Sequence, residues 1–158
     1  MIDPPAAPRW RRVARDLPAR VREVAAAALA ASGAKRRGEI TIRLSDDAVV
    51  RELNHDFRGK DRPTNVLSFP ASDTPAGPGA PALLGDIVIA HGVVAREAAA
   101  QGKSAEHHLL HLVAHGVLHL LGYDHERSAA ARRMELLEAR VLAAFGIADP
   151  YVMERRRA

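Results

Sequence analysis

Between Ser104 and His125 the chain reads SAEHHLLHLVAHGVLHLLGYDH, and no other segment limits the fold as tightly. Leu109, Leu110, Leu112, Val113, Val117, Leu118, Leu120 and Leu121 leave hardly any polar surface apart from the histidines. A helix that is apolar nearly all round belongs inside a protein. Ser104 is a suitable N-cap, and Gly122 permits the left-handed turn that ends the helix. Five of the eight histidines fall between His107 and His119, four of them at intervals of four. Side chains at that spacing project one turn above another on one face. Imidazoles on a buried helix need partners, since a polar group without one is costly in an apolar interior.

A metal ion is the partner that the pattern predicts. His115 and His119 share a face, and the turn after Gly122 can bring His125 round to meet them. Three neutral imidazoles without a fourth protein ligand describe an open zinc site, the catalytic kind. His111 is the competing third ligand. Over eight residues, however, a straight helix rotates by roughly 80°, so His111, His115 and His119 converge poorly. His125 is therefore the better candidate. A ligating imidazole is held through its other nitrogen, so Asp86, Asp124 and His111 are candidates to support the ligands. Both aspartates read equally as turn or cap residues.

The chain has 158 residues and no cysteine, which excludes disulfides and thiolate ligands and suits the cytoplasm. It is long enough for one domain with a real core. No stretch approaches the roughly 20 apolar residues of a membrane span, and MIDPPAAPRW lacks the pattern of an export signal. Nine of the 23 Lys and Arg lie before residue 38, and Arg155, Arg156 and Arg157 lie at the other end. The formal charge of +4 favours polyanions, although such charges also serve as a solvated face.

The remaining pattern is α+β. Asp16 can cap an expected helix running to about Ala31, with Gly33 just past its end. Ile40, Ile42 and Leu44 alternate in an expected strand over 39–44. Ser45 or Asp46 then caps a short helix carrying Val49, Val50 and Leu53. Strands are expected at 66–69 and at 86–90, the latter continuous, apolar and central. The stretch Pro70 to Pro81 reads as a surface loop. Further helices are expected over 92–101, 104–121 and 128–145. The expected architecture is a small three- to four-stranded mixed sheet against about five helices, with the metal site on a buried helix and the turn after it. Residues 1–15 read as an irregular basic N-terminus and 153–158 as a basic tail.

HxxxHxxGxxH is also the pattern of metzincin endopeptidases, which place a glutamate directly after the first histidine as general base. Here that position is Gly116, so a peptidase would lack its main actor. HGVLHLLGYDH resembles instead the signature of the YbeY family of bacterial rRNA maturation factors, metal-dependent endoribonucleases. The resemblance continues through LNHDFRGKDRPTNVLSFP at 53–70, LLGDIVIA at 83–90 and DPYV at 149–152. It implies one zinc on His115, His119 and His125, an important arginine at Arg58, and action on single-stranded RNA. The implied role is maturation of the 16S rRNA 3′ end and ribosome quality control, with the small ribosomal subunit and assembly factors as partners. Family members usually begin with a β-strand. Here Pro4, Pro5 and Pro8 cannot donate to a sheet ladder, so that strand is short, displaced or absent.

The residues agree with that resemblance. Arg58 opens the polar loop RGKDRPTN, and a guanidinium can grip a phosphate bidentately and offset charge in a phosphorane-like transition state. Whether a water or the RNA 2′-hydroxyl attacks is open at this point. With only six aromatic residues a base-stacking platform is not expected, so RNA contacts should be dominated by phosphates and sensitive to salt. Three functions compete: a zinc endoribonuclease, a non-catalytic ribosome assembly factor with structural zinc, and a metalloprotease, which Gly116 disfavours.

Overall fold

A computed structural model describes residues 2–33, 38–58, 64–71, 83–123 and 128–152. Its first long helix, α2 (Leu17–Ala31), buries Leu17, Val21, Val24 and Ala28 along one stripe. A five-residue helix, α1 (Ala7–Arg11), precedes it. The strands are β1 (Glu39–Ser45), β2 (Val66–Pro70) and β3 (Leu83–Ala90). Helix α3 (Asp47–Arg58) joins the first two strands. Asp46 is its cap, because Asp46 Oδ1 accepts from the Val49 amide at 2.9 Å. Helices α4 (His91–Ala100), α5 (Ala105–Leu120) and α6 (Ser128–Ala143) complete the set. The fold is α+β as expected, with six helices among the described residues; the additional one is α1.

The sheet order is β1-β3-β2, so the most apolar strand is central. Strand β3 pairs in parallel with β1, Ser45 opposite Ala90, and antiparallel with β2, Pro70 opposite Gly85. Side chains alternate across a strand, and the two faces of β3 meet different partners. Ile87 and Ile89 join the main core with α2 and α5, while Val88 and Ala90 pack with Val50 and Leu67 on the α3 side. Gly85 sits where no larger residue fits. A Cβ there would lie 2.6 Å from the Phe69 carbonyl oxygen and 2.8 Å from Leu120 Cδ2. This close approach seats the C-terminal end of α5 directly on the sheet.

Two ends of α5 behave as the sequence predicts. Ser104 Oγ accepts from the His107 amide at 3.1 Å. After Leu121 the chain turns through Gly122 at φ 97°, with Tyr123 N donating to Leu118 O and Gly122 N to His119 O. That pair of bonds is a Schellman cap, which satisfies carbonyls the helix would otherwise leave open.

The N-terminus corrects the expectation of an irregular 1–15. The missing edge strand is reduced to one parallel bridge between Ile2 and Leu44, after which Pro4–Ala6 form a 3-10 turn and α1 follows. Prolines that cannot join a ladder are well suited to a first helical turn. Trp10 is 0% exposed, its Nε1 donates to Ser45 O at 2.9 Å, and its ring meets His91 edge-on. Asp3 is buried too. Burial works against its charge, but Arg43 and Ser45 donate to it at 2.8 and 2.6 Å and hold its carboxyl below the usual value. The segment is thus anchored to the core through Asp3, Ala6, Ala7 and Trp10. Trp10→Ala should cost about 3–5 kcal/mol in urea denaturation, since it opens a cavity and strands the Ser45 carbonyl. A loss below about 1 kcal/mol would mean that the segment is not anchored.

Candidate metal centre

Histidines 111, 115 and 119 climb one side of α5 towards solvent. The side chain of His111 is 12% exposed and that of His115 24%, whereas His119 is open to solvent. The rings of His115 and His119 are 6.3 Å apart and within 6° of parallel, as spacing four on a helix requires. At the bottom of this ladder lies a residue that the sequence reading missed. Glu138 of α6 is 0% exposed. Its Oε1 accepts from His115 Nδ1 at 2.7 Å, and its Oε2 contacts His111 Nε2 at 3.0 Å. The Tyr151 hydroxyl also donates to Oε2.

A fully buried carboxylate is expensive unless paired and hydrogen-bonded. Burial alone would raise the pKa of Glu138. Donors from His111 and His115, the charge on His115 and the Tyr151 hydroxyl outweigh it and hold the group at about 2. With Glu138 ionised, His115 is fixed as the tautomer that donates from Nδ1 and carries its lone pair on Nε2. The sequence did carry a signal for Glu138. Met134, Glu138, Val141 and Leu142 form the buried stripe of α6, and a carboxylate in an apolar stripe demands a partner. Tyr151, part of DPYV, closes the cluster, with its own amide bonded to Asp149 Oδ1 at 2.9 Å.

Of the expected site residues, the structure brings together His115 and His119 on one helix face. His111 joins the Glu138 cluster. Asp86 goes elsewhere: it is exposed on the α3 face of the sheet, in a cleft of about 410 Å³ with Thr41, Arg43, Leu53, Phe57 and Phe69. Arg58 is the last residue of α3, and its side chain lies outside the described residues, as do Asp124 and His125. Ligand atoms of His111, His115 and Glu138 lie within 4.8 Å of one another, so this trio could hold a metal ion.

The sequence that builds this site matches one known family. The family model described as Endoribonuclease YbeY matches residues 9–146. The chain belongs to the YbeY endoribonuclease family. A relative named Endoribonuclease YbeY from Paramagnetospirillum magneticum is 51% identical over 148 residues, covering 91% of this chain and 90% of its own. Another of that name, from Halorhodospira halophila, is 56% identical over 117 residues, 73% of this chain and 76% of its own. A Thermotoga maritima protein solved in solution matches with a TM-score of 0.52 at 25% identity, covering 92% of this chain and 91% of that one. Members of the family are RNA-cleaving hydrolases, and this chain is one. Among the described residues no helix is long and apolar enough to cross a membrane.

Glu138 should leave its mark on acid stability. A carboxylate whose folded pKa is depressed stabilises the fold fully above its ordinary value of 4.5, and that contribution is lost as pH falls towards about 2. It amounts to about 3 kcal/mol across that window. Chemical denaturation from about pH 6 to pH 2 should show wild type losing this increment while Glu138→Gln, weaker throughout, does not. Parallel curves would show that the carboxylate is not held ionised.

Proposed function

We propose that this chain is a zinc-dependent, single-strand-specific endoribonuclease of the cytoplasm. In this reading it matures rRNA at the 16S 3′ end, takes part in ribosome quality control, and works on the small ribosomal subunit with its assembly factors. The observation that carries the reading is the bond from His115 Nδ1 to the buried Glu138. A carboxylate behind an imidazole is the arrangement that orients a metal-ligating histidine and raises its basicity. His119 lies one turn on, and His125, just beyond the Gly122 cap in sequence, is the third ligand in this reading. Neutral imidazoles in such a set suit zinc.

The alternative trio of His111, His115 and Glu138 is a poorer host for a catalytic ion. Both oxygens of Glu138 already accept hydrogen bonds, and at 0% exposure an ion there would be closed to an RNA phosphate. Bound at the histidine set, zinc would supply Lewis acidity towards a phosphoryl oxygen or a water. The protein's own part is orientation and charge. Glu138 fixes the His115 ring, and Arg58 at the end of α3 grips the scissile phosphate and offsets its developing charge. Peptidase chemistry is opposed by packing as well as by sequence. A Cβ at Gly116 would lie 3.1 Å from Ile87 Cδ1 and 3.3 Å from its Cγ2, so a side chain there would start against the sheet and press on Ile87.

Zinc-loaded wild type, His119→Ala and Arg58→Ala should be assayed on single-stranded RNA, structured RNA and casein. Wild type should cut single-stranded RNA alone, His119→Ala should lose both zinc and activity, and Arg58→Ala should keep zinc with cleavage lowered about 100- to 1,000-fold. Full activity in folded Arg58→Ala, or casein cleavage lost in His119→Ala, would overturn the assignment. The termini of the cut RNA distinguish attack by water from attack by the 2′-hydroxyl.

A further inference from the structure

Helix α1 is a cationic face bolted to the core. Arg9, Arg11, Arg12 and Arg15 are all exposed within seven residues, and no acidic residue lies between Pro4 and Arg15. Three arginines elsewhere are paired with carboxylates: Arg20 with Glu106 at 3.1 Å, Arg43 with Asp3 at 2.8 Å and Arg96 with Asp47 at 2.9 Å. Among the described residues none of the four in or beside α1 forms an ion pair. Arg9 and Arg12, three apart, share one face of the helix. The opposite face is sunk in the core through Ala6, Ala7 and Trp10. Like charges held this close repel one another and weaken the compact state, a cost that an anionic partner would offset.

The position of the face is as informative as its charge. Trp10 touches Ser45 and His91, at the end of the sheet where Ser45 pairs with Ala90. His119 lies near the opposite end, where Leu120 meets Gly85. From Gly85 to Ala90 the strand rises roughly 17 Å. A polyanion reaching both places must therefore be a chain, and at about 3.4 Å per phosphate in one stacked strand it needs about five nucleotides or more.

We propose that Arg9, Arg11, Arg12 and Arg15 form an RNA exosite, a phosphate-backbone surface that holds single-stranded substrate away from the point of cleavage. It rests on the reading of the chain as a single-strand ribonuclease. The site reads charge and length rather than sequence, because guanidinium groups on phosphates carry no base information. It favours long substrates and leaves the chemical step untouched.

The test replaces all four residues by alanine, and in a second variant by lysine. Cleavage is measured on oligonucleotides of about four and about thirty nucleotides, and equilibrium binding on the longer one, across a salt series. Loss of the site should raise KM for the long RNA about tenfold or more at low salt, with kcat and all parameters for the short RNA unchanged. The slope of log binding constant against log salt should fall by about 2 to 3, since each neutralised phosphate of a single strand contributes about 0.7. The lysine variant should bind the long RNA far better than the alanine one. Equal effects on long and short RNA, or none on either, would overturn the exosite. Should wild type cut no RNA, the ribonuclease reading fails by itself, and the binding series still decides the patch: an unchanged salt slope in the alanine variant rejects it.

Discussion

A buried negative charge organises the site. Glu138 of α6 lies where α5 and the DPYV segment meet that helix, and its desolvation must be offset by donors from those two. His111 and His115 supply two from one helix, and Tyr151 supplies a third from the end of the described chain. Removing any donor leaves the carboxylate partly unpaired in an apolar interior, which costs far more than the lost bond would at the surface. The packing of α6 on α5, the tautomer of His115 and the seating of residues 149–152 therefore depend on the same ion. Two of the segments that carry the family resemblance, the histidine run and DPYV, meet at this carboxylate.

Periodicity and caps carried most of the architecture. Asp16 and Gly33 bracketed α2, although Asp16 makes no side-chain cap bond, the alternation of Ile40, Ile42 and Leu44 located β1, and Ser104 with Gly122 bounded α5. These are local signals, each made within one element. What stayed hidden was non-local. Trp10 gains its place through a hydrogen bond to Ser45, 35 residues away, and nothing near it in sequence announces that partner. Glu138 is 23 residues from His115, so a search for supporting carboxylates confined to the histidine motif and the nearest strand passes over it.

Asp86 shows how a correct element can still mislead. Strand β3 was expected and is central, but a strand alternates its faces with period two. Ile87 and Ile89 are committed to the α5 side by the core, which sends Asp86 to the other face beside Phe69. Had the register been one residue different, every buried residue of β3 would have changed sides. The parity of the two isoleucines against Asp86 was present in the sequence, and it argued against that aspartate as a support for the histidines.

The same reasoning explains why a histidine pattern shared with peptidases serves another chemistry. On α5 the residue after His115 does not share the face of His115 and His119; it faces the sheet, where a Cβ would lie 3.1 Å from Ile87. A glutamate there would have to be buried against Ile87 and Ser68, or the helix would have to lift from the strand. Carboxylate chemistry therefore enters this site from behind, through Glu138 on a different helix, where it orients an imidazole rather than acting on the substrate. The exposure gradient from Glu138 through His111 and His115 to His119 follows from that arrangement: charge is fixed at the dry end, and imidazoles are presented at the wet one.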